Sequence, residues 1–263
     1  MKAKSLVHRI KAKGGAMIRE ARLSDTKRVE VMEAQRAAFS RLGISFDSAV
    51  SKTESTFCDV GEQRTDTSMH YEVFSGISQI WSATRILEIG TATGQFTSFL
   101  AALFPQAFIH TWDLPSESFR DSSVDSYKRI QTGYGDQTSQ SRSRLDGLKN
   151  VVQVRQDSTR LTFESELFDI VWVDGDHTFP VVAFDLINAL RLVPVNGWIC
   201  VDDIRPRDTG RGILGSQETY KTVKHLESIG LVSLTLIMKR LDAANMLLDS
   251  DLRKYVAVLR RLV

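Results

Sequence analysis

The sequence is poor in several features that define whole protein classes. It has two cysteines, Cys58 and Cys200, far apart and in no metal-ligand or redox spacing. That excludes a disulfide-stapled scaffold or a cysteine zinc site, and it leaves two reduced thiols of a cytoplasmic protein as the expectation. There is no charge excess, since 34 basic and 32 acidic residues give a net charge of +2. Such a balance argues against nucleic acid as a partner, because nucleic-acid binders carry a concentrated basic footprint. No apolar run approaches the roughly 20 residues that a membrane helix needs. Internal repeats and long low-complexity tracts are missing too. With 263 residues, the chain is long enough to bury the core of one large α/β domain without staples.

The N-terminus lacks acid. Lys2, Lys4, Arg9, Lys11, Lys13 and Arg19 all precede the first carboxylate, Glu20. This reads as a solvated basic tail, with targeting or membrane-surface contact as the alternative. Arg28 to Leu42 reads as a helix that could serve as the arm of a homodimer. Residues 43–68 scatter Ser, Thr and Asp with no clear period. They are expected to form a lid or a substrate-facing segment, so that 1–70 is an N-terminal helical and lid segment and 71–263 is the main domain.

From Tyr71 the signals sharpen. Tyr71–Ser82 carries Phe74, Ile77, Ile80 and Trp81 at helical spacing. Arg85–Gly90 is a short apolar run ended by glycine, as a buried parallel strand should be. Gln95–Phe104 is helical and is closed by Pro105. Further strands are expected at 108–113, 151–155, 168–174, 197–203, 231–238 and 255–261, with helices at 181–192 and 219–229. Alternating strands and helices imply a seven-stranded, mostly parallel sheet with helices on both faces, an α/β fold of the Rossmann-like kind. Such sheets bind ligands beyond the carboxyl ends of their strands.

The chemistry-bearing residues fall at those ends. Leu87-Glu-Ile-Gly-Thr-Ala-Thr-Gly94 runs from a strand through a glycine turn into a helix. The glycines permit a tight turn and close approach of a ligand, and the helix N-terminus offers unpaired N–H groups to an anion. The pattern is neither G-x-G-x-x-G nor a Walker loop, which lacks its lysine here. Asp113 ends the second strand, where an acid commonly accepts hydrogen bonds from ribose hydroxyls. Gln156-Asp157-Ser158 follows the third strand and suits either an adenine edge or a helix cap. The fourth strand ends in Asp174-Gly-Asp-His177 and the fifth in Asp202-Asp203. Carboxylates gathered on one rim repel one another. Either a hard divalent cation relieves that repulsion, or Asp202 or Asp203 pairs with Arg205 or Arg207 and no metal binds.

Glu88-Ile-Gly-Thr-Ala-Thr-Gly94, Asp113, Asp174-Gly-Asp-His177 and Val201-Asp-Asp203 together resemble the class I S-adenosylmethionine-dependent methyltransferases. Within that class they are most similar to the metal-dependent small-molecule O-methyltransferases of the catechol, caffeoyl-CoA and antibiotic-sugar types. The resemblance covers about Tyr71 to Arg261. It implies a sheet whose last strand is antiparallel. It also implies a cofactor set of Glu88, Gly90, Thr91, Gly94, Asp113, Asp157 and Ser158. In that set Gly90, Thr91 and Gly94 cradle the methionine end of the cofactor, Asp113 the ribose, and Asp157 and Ser158 the adenine. Asp174, Asp202 and Asp203 match the family's Mg2+ ligands, and His177 with Asp174 is the catalytic pair.

Two departures stand out. The relatives usually end the fifth strand in Asp-Asn, and they often place a catalytic lysine where His177 stands. Histidine suits a general base near neutral pH. The expected activity is methyl transfer from S-adenosylmethionine to a hydroxyl of a small-molecule acceptor, with a divalent metal. The alternatives are metal-free N- or O-methylation and a catalytically inactive nucleoside-binding regulator. His70 and Trp172 could border the pocket, and Arg205, Arg207 and Arg211 form a basic loop that could meet an acidic acceptor.

Overall fold

The computed structural model describes residues 19–20, 22–115, 140–207 and 217–263. The basic N-terminus, the Ser/Gln-rich stretch up to 139 and Arg211 lie outside them. The first helices given by bounds among the described residues are α1 (Asp25–Arg41), α2 (Phe46–Val60) and α3 (His70–Ile80). Then follow β1 (Arg85–Ile89), α4 (Gln95–Leu103), β2 (Phe108–Asp113), β3 (Val151–Arg155), β4 (Ile170–Val173), α5 (Val181–Leu192), β5 (Trp198–Ile204), α6 (Gln217–Ser228), β6 (Val232–Met238) and β7 (Tyr255–Arg261). The strands form one seven-stranded sheet in the order β3-β2-β1-β4-β5-β7-β6. Every pairing is parallel except those of β7, which runs antiparallel to β5 and β6. No helix among the described residues is long and apolar enough to cross a membrane.

Strand alternation sorts the buried side chains into two cores. Ile86, Ile170, Trp172, Trp198 and Cys200 face one side, against Phe39, Ala49, Phe57, Phe74 and Phe99 of α1 to α4. Leu87, Ile89, Val171, Val173, Ile199 and Val201 face the other, against Val182, Leu186, Val223 and Leu226 of α5 and α6. The central strands are therefore mostly apolar, because both of their faces are covered.

Residues 43–68 depart from the expectation of a lid. Most of them form α2, capped by Ser45, whose side chain accepts from the Ser48 N–H, and ended by Gly61 in the left-handed conformation. Its buried face is Phe46, Ala49, Thr53, Thr56 and Phe57. Two threonines stand where an apolar stripe would have two hydrophobes, and they hid the period. The Thr53 hydroxyl donates to Ser75 Oγ of α3 at 2.8 Å, so it is satisfied inside the core. Only 62–69 is irregular, and it forms a strap across the first turn of α4. Gln95 Nε2 donates to Gln63 O at 3.0 Å, and Arg144 Nε donates to Glu62 Oε1 at 2.9 Å.

Candidate active site

The parallel registers bring the predicted residues to one rim. Ile89 pairs with Trp112, so Gly90 and Asp113 leave the sheet side by side. Val173 pairs with Val201, so Asp174 and Asp202 do the same one residue on.

At the first pair, Gly90 has φ +105°, and a Cβ there would lie 2.2 Å from the Asp174 carbonyl oxygen. The glycine is thus demanded by β4 as much as by any ligand. Asp113 accepts from the Ala92 N–H at 3.0 Å and the Leu114 N–H at 2.8 Å, so its carboxylate braces the turn. Gly94 opens α4 with no side-chain cap, which leaves the first-turn N–H groups to an anionic ligand. These residues fit a cofactor that has an amino-acid carboxylate at one end and a ribose beside Asp113.

Three of the predicted cofactor residues have work inside the protein. Glu88 is buried, accepts from the Thr97 hydroxyl at 2.5 Å, and is pushed up to about 7 by desolvation. It ties β1 to α4 behind the turn. Asp157 caps the 3-10 turn Ser158–Phe163 by accepting from the Thr159 N–H and hydroxyl, which is the capping alternative. Asp185 of α5 is buried, and desolvation pushes its carboxyl up to about 7. Thr91 and Thr111 join through their hydroxyls at 2.6 Å.

At the second pair, His177 Nε2 lies 3.3 Å from Asp174 Oδ1. Desolvation and the Asp202 carboxylate push Asp174 up to about 7, although a third of its side chain faces the open rim and moderates the first effect. Burial depresses His177, but its bond to Asp174 and the carboxylates of Asp203 and Asp202 outweigh that, and its pKa is raised. His177 Nδ1 is buried with no hydrogen-bond partner among the described residues.

Two lysines that the sequence reading passed over complete this rim. Lys239, just after β6, places Nζ 2.5 Å from Asp202 Oδ2 and 2.7 Å from Asp203 Oδ1. Lys254, just before β7, places Nζ 2.9 Å from Asp203 Oδ2. Adjacent strand residues normally point to opposite faces. Here the β5–β7 register shifts between Val201 and Ile204, and Asp203 adopts φ +52°. This bulge turns both carboxylates onto one ammonium. The signal was topological. β6 runs parallel to β5 and β7 runs against it, so a residue after β6 and one before β7 both reach the carboxyl rim.

This arrangement does not support the magnesium expectation. Asp202 and Asp203 do not fit a divalent cation, because two lysines already engage three of their four carboxylate oxygens. Among the described residues, no group of three His, Cys, Asp or Glu side chains is disposed to hold a metal. Arg207 does not pair with these carboxylates, since its Nε engages Asp251 at 2.9 Å. His70 and Trp172 are core residues, 6% and 1% exposed. Their rings lie 5.3 Å apart, and burial lowers His70 to about 4.

Residues 87–204, which hold the glycine turn, Asp113, Asp174, His177 and Asp202-Asp203, match the family model described as a methyltransferase domain. Over that segment the chain is similar to a methyltransferase domain.

The chain is similar in fold to the O-methyltransferase TomG of Streptomyces achromogenes, involved in tomaymycin synthesis and solved with SAM. The TM-score is 0.53 at 19% identity, over 87% of this chain and 96% of that one. It is also similar to an O-methyltransferase of Bacillus cereus solved with SAH, at TM-score 0.52 and 18% identity, over 87% and 97% of the two chains. At such identities the likeness establishes a shared fold. No curated protein matches the sequence.

Proposed function

We propose that this methyltransferase moves the methyl group of S-adenosylmethionine to a hydroxyl oxygen of a small acceptor, without a metal. The observation that carries the reading is the Asp174–His177 pair at 3.3 Å, one strand from the glycine turn that suits the cofactor. When bound, S-adenosylmethionine supplies a methyl group on a positively charged sulfur.

The chain's own contribution is positioning and proton handling. Gly94 and the open first turn of α4 receive the amino-acid carboxylate, and Asp113 the ribose. Asp174 accepts the Nε2–H of His177 and fixes its tautomer. The pair, whose Asp174 side chain is a third exposed at the rim, takes the acceptor's hydroxyl proton as the new C–O bond forms and the C–S bond breaks. A structural neighbour that is an O-methyltransferase supports oxygen over nitrogen.

Calorimetric titration with S-adenosylhomocysteine, with and without Mg2+, tests this reading. The expected result is binding with the same heat in both conditions. No binding in either condition would remove the reading.

A further inference from the structure

We propose that Lys239 is the resident cation of this active site, standing between Asp202 and Asp203 where metal-dependent relatives would hold a divalent ion. This deepens the methyltransferase reading and rests on it for the meaning of the site, though not for the chemistry of the cluster.

Charge bookkeeping is the first argument. Asp202 and Asp203 contribute two negative charges, and Lys239 and Lys254 contribute two positive ones. A divalent ion added here would have to displace an ammonium or sit against one. Burial is the second. The side chains of Lys239, Asp202 and Asp203 are 7%, 4% and 8% exposed, so their attraction is weakly screened and the ammonium is not readily lost to water. The backbone is the third. The Lys239 N–H donates to Lys254 O at 2.9 Å, and its carbonyl accepts from the Met69 N–H at 2.8 Å. The stem of the lysine is thus anchored at both sides, and the bulge at Asp203 aims both carboxylates at Nζ. Finally, Asp202 Oδ1 is buried with no hydrogen-bond partner among the described residues. With Nζ removed, that oxygen, its Oδ2 and Asp203 Oδ1 would be donors of the hard type that a divalent ion takes.

Mn2+ is the probe, because its free aqua ion gives a paramagnetic resonance signal that is lost on binding. Full-length wild type and Lys239→Met are titrated with it. Wild type is expected to leave Mn2+ free, and Lys239→Met to take up one ion per chain at least about tenfold more tightly. Because Lys239→Met leaves buried carboxylates uncompensated and could fail to fold, Lys239→Met/Asp203→Asn, which removes one charge of each sign, is titrated alongside. Stoichiometric Mn2+ binding by wild type overturns the inference. So does a folded variant that binds no more Mn2+ than wild type. S-adenosylhomocysteine calorimetry on the same wild-type sample judges the methyltransferase reading separately. Absence of that binding sinks the reading and leaves the Mn2+ result to decide on Lys239.

Discussion

His177 and Glu88 show how differently two polar side chains on one rim can be employed. His177 is held by Asp174 and keeps one nitrogen without a partner among the described residues. His177→Gln should therefore lower kcat by about a hundredfold or more, as expected for loss of a general base. Its affinity for S-adenosylhomocysteine should stay unchanged, because the cofactor is held a strand away. A rate-neutral substitution in a methyl-transfer assay would remove His177 from the mechanism.

Glu88 is buried behind the turn with its folded pKa raised to about 7 from 4.5. An acid shifted upward is protonated in the folded state while the unfolded chain already ionises. Stability from this group is accordingly complete below about 4.5, falls as pH rises towards 7, and levels off above. The whole change is about 3 kcal/mol. Glu88→Gln should flatten that part of the denaturation midpoint against pH, and an unchanged slope would refute the assignment. Both residues were visible in the sequence as site candidates. Their separate jobs were not, because burial and hydrogen-bond partners decide between them and neither is written in a motif.

At the scale of elements, the strands were legible because their apolar runs are short and bounded by glycine or proline. The bounds at 108–113, 151–155 and 255–261 coincide with β2, β3 and β7. α2 was not legible, for the reason its buried threonines give. Its neighbour α3 offers a test of how closely these helices pack. Gly76 lies in mid-helix, where alanine should gain about 1 kcal/mol from propensity alone. A Cβ there would stand 2.2 Å from Ile44 Cγ2, which is branched close to its own backbone. Overpacking of this kind costs about 1–3 kcal/mol. Gly76→Ala should therefore lower the melting temperature despite its better propensity, and a rise would show that the loop holding Ile44 yields. The bulge in β5 was equally hidden, since nothing in Val201-Asp-Asp203 says that both carboxylates turn the same way.

In the whole molecule, α1 to α3 belong to the sheet's own core. Phe39, Phe57 and Phe74 share a cluster with Ile86 and Trp172. Gln35 of α1 also hydrogen-bonds the backbone of Met238 in both directions, at 3.2 and 3.0 Å, as a neighbouring strand would. This satisfies an edge of β6 that would otherwise be open. A chain shortened to begin at 61 should thus lose cooperative unfolding and precipitate, as judged by thermal denaturation and light scattering. A soluble, cooperatively melting product would mean that the first helices are an appendage.

The position of β7 bears on how the protein is made. It is the last of its three strands to be synthesised, yet it lies between the other two. While the ribosome is still producing it, β5 and β6 each present an unpaired edge. Asp203, Lys239 and Lys254 sit on or beside three strands that cannot meet before that insertion. Nascent chains would thus acquire a neutralised active-site rim only once β7 has been inserted.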